Sequence, residues 1–301
     1  MMRAYRLLDV FTQRALTGNP LAVVLDAAEL AAADMQAVAV EFNLSETVFV
    51  LPGGVDVRAR LRIFTPSREL PFAGHPTVGA AVCLAGLEQN PAASDGMRFV
   101  LEAPAGRIHC QARAEGARRG YASFTLPLLP ARAASAVDPG LAAETLGVDA
   151  ADVGFAGHDI GVWSAGVPFL LVPLKTRVAV ARAAVVGALW PRLQAQAGTH
   201  GVFVYSRECL DPAHHVHARM FAPGLGIAED PATGAAVAAL AGQIVAAESP
   251  ADGRHSVIVE QGYEMNRPSL IALDLVVQGG RLREASLGGH AVLVGEGRLY
   301  L

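Results

Sequence analysis

A chain of 301 residues, 52% hydrophobic and 17% charged, is long enough for two domains and apolar enough to bury a core in each. Its formal charge of -4 and lack of a basic run exclude an electrostatic nucleic-acid surface. The apolar stretches are interrupted short of a membrane span, and residues 1–9 carry charge where a secretory leader has its apolar core, so a cytoplasmic protein is expected, with neither nucleic acid nor membrane as partner. Cys83, Cys110 and Cys209 are widely spaced, odd in number and form no CxxC, which argues against a disulfide framework.

In chain order, Tyr5 to Phe11 and Leu21 to Leu25 read as strands separated by the turn Gly18-Asn19-Pro20. Ala28 to Phe42 has helical periodicity, Asn43-Leu44-Ser45-Glu46-Thr47 interrupts it, and Val48 to Leu51 is a strand. From Asp56 to Phe64, charged residues alternate with Val57, Ala59, Leu61 and Ile63, which predicts a strand with one wet face. A loop over Thr65 to Leu70 leads into an Ala-rich helix. Strands follow at Arg98 to Glu102, Arg107 to Ala112 and Ala122 to Leu126.

Pro127 to Ser135 reads as a crossover to a second lobe with the same plan. It has a short helix over Gly140 to Leu146, a strand over Val167 to Leu174 and one amphipathic helix over Val178 to Ala197. Strands at Val202 to Tyr205 and Val216 to Phe221 precede a second Ala-rich helix, and strands at Val257 to Glu260, Ser269 to Val277 and Ala291 to Val294 end the chain. The expected division is 1–126, completed by a last strand in 289–301, and 127–288. The fold class is α+β, duplicated, with the two helix starts at the cleft between the lobes.

The duplication is also visible as a motif. Gly74-His75-Pro76-Thr77-Val78-Gly79-Ala80-Ala81-Val82 is echoed by Glu229-Asp230-Pro231-Ala232-Thr233-Gly234-Ala235-Ala236-Val237. Proline suits the first helical position, so His75 and Asp230 are expected as N-caps. Ala and Gly on every side predict helices without a solvent face. A buried helix start offers free N–H groups and partial positive charge to an anionic group of a small substrate. On local grounds His75 and Asp230 are equally ordinary caps, and Glu46 an ordinary loop residue. The functional alternative for Glu46 is a carboxyl at the mouth of a buried strand, whose proton affinity burial raises towards neutral pH.

His214, His215 and His217 suggest a metal cluster, but strand alternation places only His215 and His217 on one face, and no third ligand is spaced to complete a site. The expectation is no metal. The single lysine, Lys175, lies in a strand-to-helix turn and is not expected to carry a Schiff base.

These motifs together resemble the PhzF-like isomerases, within the diaminopimelate epimerase-like fold. The resemblance is carried by Asp9-Val10-Phe11, Gly18 to Val23, Asn43 to Thr47, Arg62 to Pro66, Glu69 to Thr77, Arg219 to Pro223, Glu229 to Gly234, Gln261-Gly262, Arg267-Pro268-Ser269 and Gly288-Gly289. It implies two similar lobes, each a mostly antiparallel β-barrel around a central helix, a homodimer, and catalysis without metal or organic cofactor. It further implies that Glu46 moves a proton between carbons of a small carboxylate-bearing substrate, with His75 and Asp230 completing the catalytic set. Asn19, Gly74, Pro76, Thr77, Thr233, Gly234 and Ala235 are the substrate-binding candidates. The family commonly has Ser at the position of Ala235, which argues against the phenazine precursor, a dihydro-hydroxyanthranilate, as substrate. An amino-acid epimerase on this fold uses a cysteine at each helix start, where this chain has His75 and Asp230. A binding protein that kept the cleft without catalysis is the other alternative.

Overall fold

The computed structural model describes residues 2–88 and 96–301. The chain forms two compact units, Met1–Pro127 with Leu287–Leu301, and Leu128–Ser286. The first contains β1 (Met2–Val10), β2 (Asn19–Val24), α1 (Ala32–Phe42), β3 (Glu46–Pro52), β4 (Ala59–Phe64), β5 (Glu69–Leu70), α2 (Gly74–Glu88), β6 (Met97–Ala103), β7 (Gly106–Ala114) and β8 (Arg119–Thr125). The second contains β9 (Ala131–Arg132), α3 (Pro139–Leu146), β10 (Gly161–Ser164), β11 (Pro168–Pro173), α4 (Arg177–Arg182), α5 (Trp190–Ala197), β12 (Val202–Ser206), β13 (Val216–Ala222), β14 (Ile227–Asp230), α6 (Gly234–Glu248), β15 (Gly253–Gln261) and β16 (Ser269–Gln278). A long strand, β17 (Arg281–Tyr300), begins in the second unit and ends in the first.

Strand pairing establishes the duplication. In the first unit β1–β2 is antiparallel, β2–β3 parallel, β3–β4 antiparallel, β4–β6 parallel and β6–β7 antiparallel. In the second, β10–β11, β11–β12, β12–β13, β13–β15 and β15–β16 repeat that alternation in the same order. β5 and β14 are the equivalent short strands, each antiparallel to its predecessor and each followed by a 15-residue helix. In the first unit β7 continues to β8, and β17 pairs with both β8 and β1, closing eight strands into a barrel.

The expected strand over Asp56 to Phe64 shows the predicted faces, with Arg58 and Arg60 exposed and Val57, Ala59, Leu61 and Ile63 buried. Every residue of α2 from Gly74 to Ala85 is buried, as is every residue of α6 from Ala236 to Ile244. Small side chains permit this close packing. A Cβ on Gly79 would lie 2.4 Å from Leu21 and 2.8 Å from Val10, so a larger residue there would push α2 off β1 and β2.

Three expectations need correction. The helix over Val178 to Ala197 is two helices, α4 and α5. Arg219 Nη1 takes the Val180, Ala181 and Ala183 carbonyls at 3.2, 2.9 and 2.6 Å, which ends α4, and Pro191 then sits in the first turn of α5, where its missing N–H costs nothing. Neither His75 nor Asp230 is an N-cap. His75 is the second residue of α2, and Asp230 ends β14, four residues before α6. Pro76 is tolerated inside the first turn because those N–H groups have no intrahelical partner. Finally, β5, β9, β10 and β14 were not expected. They are two to four residues long, too short for a periodicity to register. Among the described residues no helix is long and apolar enough to cross a membrane.

Candidate active site

In the first unit three element starts bring three side chains together. Asn43, in the left-handed conformation, ends α1, and Glu46 opens β3 opposite Leu21 of β2. Asn19 opens β2, is fully buried, and places Nδ2 3.3 Å from His75 Nδ1. His75 is 4% exposed, and its Nε2 faces Glu46 Oε2 at 3.4 Å.

The chemistry of this row follows from its donors. Asn19 Nδ2 can only donate, so His75 Nδ1 accepts and the ring proton sits on Nε2, towards Glu46. Burial pushes the His75 pKa down to about 3, so the ring is neutral at working pH. At 3.4 Å the Nε2–H and the carboxylate are just beyond hydrogen-bond length, a separation that a bound substrate can tighten. The Glu46 side chain is 14% exposed, which makes it the member of the row that can be reached from outside. Thr77 is committed to the helix start, its hydroxyl donating to the Ala73 carbonyl at 2.8 Å, and Gly74 and Pro76 complete the buried first turn.

In the second unit Asp230, 5% exposed, accepts from the Thr233 hydroxyl at 2.5 Å. Gln261, the last residue of β15, holds both. Its Oε1 accepts from the Thr233 N–H at 3.0 Å, and its Nε2 donates to the Asp230 carbonyl at 2.8 Å and to Thr233 Oγ1 at 3.1 Å. Gly262 follows with φ +78°, and a Cβ there would lie 2.6 Å from the Pro231 carbonyl, so only glycine lets β15 pass this close under the turn. Gly234 and Ala235 begin α6, and Ala235 is partly exposed.

Comparison with known proteins identifies the family and the fold. A sequence profile of the family described as phenazine biosynthesis-like protein (PhzC-PhzF) matches residues 8–297. The chain belongs to the PhzF family. It is 45% identical over 304 residues to an uncharacterized isomerase of Mesorhizobium japonicum, covering 99% of each chain. It is 33% identical over 301 residues to trans-2,3-dihydro-3-hydroxyanthranilate isomerase of Pseudomonas chlororaphis, covering all of both. Among solved structures, a PhzF-family phenazine biosynthesis protein of Bacillus anthracis superposes with a TM-score of 0.86 at 26% identity over the full length of both chains. The chain is thus an isomerase of the PhzF family.

Other features of this PhzF-family chain depart from the sequence reading. β13 begins only at Val216, so the three histidines are not in strand alternation. His214 and His217 converge on the buried Glu260 at 2.7 and 2.8 Å, while His215 turns away and accepts from the Ile258 N–H. The carboxylates that seemed missing are therefore Glu260 and Glu264, held as ion pairs, and no group of metal-ligand residues is found among the described residues. Cys83 is core in the middle of α2, and burial raises its thiol pKa, as expected of a packing residue. Gln261 was not among the site candidates. The dipeptide Gln261-Gly262 was visible, but nothing local says that a strand end reaches a turn some thirty residues earlier.

Proposed function

We propose that this isomerase moves a proton between two carbons of a small carboxylate-bearing substrate, with Glu46 as the acid/base and without metal or organic cofactor. The Glu46 carboxylate removes a proton from one carbon, the electron pair of that C–H bond moves into the substrate's double-bond system, and the protonated Glu46, which can exchange with solvent, delivers a proton to another carbon. The product is an isomer and nothing is consumed.

The observation that supports this reading is the row Asn19–His75–Glu46. His75 is fixed in one tautomer and kept uncharged by burial, so it can donate to Glu46 or to a substrate oxygen without competing for the transferred proton. Asp230, ordered by Thr233 and Gln261, has the role of a second polar contact to the substrate. In the first unit the start of α2 offers its free N–H groups to the anion. We take the protein to act in the cytoplasm as a homodimer.

The test is deuterium incorporation from D2O, followed by mass spectrometry with product formation in the same samples, across small amino and hydroxy carboxylates that include trans-2,3-dihydro-3-hydroxyanthranilate. Glu46→Gln should lower turnover by about 10²–10⁴-fold while ligand-induced thermal shifts persist. Equal turnover by the variant would remove Glu46 from the mechanism.

A further inference from the structure

The duplication pairs more than strands. Arg62 on β4 and Arg219 on β13 occupy equivalent positions, paired in register with Phe49 and Val204. Each reaches a glutamate that stands five residues before the first residue of the following helix, Glu69 before Gly74 and Glu229 before Gly234. Both contacts are two-pronged. Arg62 Nε and Nη2 donate to Glu69 at 2.7 and 2.6 Å, and Arg219 Nε and Nη2 donate to Glu229 at 2.8 Å each. Each guanidinium also lies over the aromatic ring two residues on, Phe64 at 5.1 Å and Phe221 at 4.8 Å.

We infer that these two pairs are clamps that position the helix starts, and through them His75 in the first unit and Asp230 in the second. The inference rests on the proposed acid/base reading for its catalytic consequence, though not for its structural one. A planar fork on a carboxylate fixes angle as well as distance, which a single hydrogen bond does not. Asp230 follows Glu229 directly, so an error in the Glu229 backbone passes to the Asp230 carboxylate within one residue. In the first unit the same setting must travel through Leu70 to Gly74 before it reaches His75. The part-exposed Arg62–Glu69 pair contributes little to global stability, so geometry is the property it supplies. Arg219 is buried, so its fork on Glu229 also offsets the cost of holding a guanidinium out of water.

Arg219 also closes the end of α4, so replacing it would disturb more than the clamp. The glutamates are the cleaner handles. Glu229→Gln and Glu69→Gln keep size and one acceptor oxygen but turn an amide N–H₂ against the guanidinium. Amide hydrogen exchange on the intact chain reads the result without any substrate. Glu229→Gln should speed exchange about tenfold in peptides covering Thr233 to Val237 and leave those covering Gly74 to Val78 unchanged, and Glu69→Gln should do the reverse. On a substrate found by deuterium incorporation, each variant should lose kcat about tenfold with KM within about twofold. Unchanged exchange at both helix starts, or faster exchange spread over a whole unit, would overturn the clamp. Correct local exchange with kcat and KM at wild-type values would overturn its positioning role. If wild type turns over nothing in the panel, the acid/base reading fails, while the exchange data still decide the clamp.

Discussion

His75 and Ala235 are the same residue of a duplicated fold. Each is second in a 15-residue buried helix that starts five residues after an arginine-bound glutamate. The motif that first suggests the repeat instead matches His75 with Asp230, and so is out of step with the structural repeat by five residues. The two helix starts are thus unequal: one presents an imidazole, the other a methyl group.

Restoring a hydroxyl at that methyl is the direct test of specificity. Ala235 is partly exposed, so Ala235→Ser should change stability by no more than about 0.5 kcal/mol. Turnover of trans-2,3-dihydro-3-hydroxyanthranilate, which names the Pseudomonas chlororaphis relative, should rise about tenfold or more, the scale of one buried hydrogen bond. Wild-type turnover equal to that of the variant would show that position 235 does not select the substrate.

His75 makes the fold sensitive to acid. Its folded pKa is about 3 against an ordinary 6.5, so below pH 6.5 the unfolded chain binds a proton that the folded chain refuses. Stability should therefore fall by up to about 1.4 kcal/mol per pH unit between 6.5 and 3 from this group alone. Urea midpoints at pH 7, 5.5 and 4.5 should decline in wild type and decline less in His75→Asn. Parallel declines would place the acid sensitivity elsewhere.

His217 works in the opposite direction. Both ring nitrogens face carboxylates, Glu260 at 2.8 Å and Glu264 at 2.9 Å, so both carry protons. Burial opposes that charge, but the hydrogen bonds to Glu260 and Glu264 outweigh it and raise the pKa. This contribution is complete below about pH 6.5 and is lost as pH rises through the folded value. Burial likewise opposes the charge on Glu260, yet the bonds from His217, His214 and the Leu210 N–H hold it at about 2, so its contribution is present above 4.5 and fades as pH falls towards 2. His217→Gln should flatten the alkaline limb of a stability–pH curve, and Glu260→Gln should cost about 3 kcal/mol near neutrality by removing the carboxylate that the buried His217 and the part-buried His214 share. An alkaline limb identical to wild type in His217→Gln would contradict the assignment.

Gln261 should matter to turnover more than its distance in sequence suggests. Gln261→Leu removes three hydrogen bonds around Asp230 and Thr233 and strands the Thr233 N–H. The expected cost is about 2 kcal/mol of stability and a larger loss in kcat than in KM, measured by urea unfolding and steady-state kinetics. A loss confined to stability would make Gln261 a packing residue.

Much of the first unit was legible because its signals are local. β4 announces itself by alternation, and the two central helices by an excess of Ala and Gly that leaves no polar face. His75 and Asp230 were singled out for a partly mistaken reason. Proline marked both turns, but a proline is as acceptable in the third helical position as in the first, and local sequence does not choose between them. Glu46 was visible only as a motif, since what distinguishes it is a neighbour twenty-nine residues away. The break between α4 and α5 and the role of Gln261 were invisible for the same reason: each is imposed by a side chain from a distant strand, Arg219 in one case and Gln261 itself in the other.

The first barrel is closed by the last strand of the chain, with Met2 paired to Tyr300 and Val10 to Ala291. On the ribosome, that sheet therefore emerges as an open one and keeps an unpaired β1 edge while all of Leu128–Ser286 is still being made. At ordinary synthesis rates the wait is roughly 10–30 s. The second unit can collapse during that time, so the nascent protein matures from its middle outwards, and a chain truncated before β17 would leave its first-made barrel open.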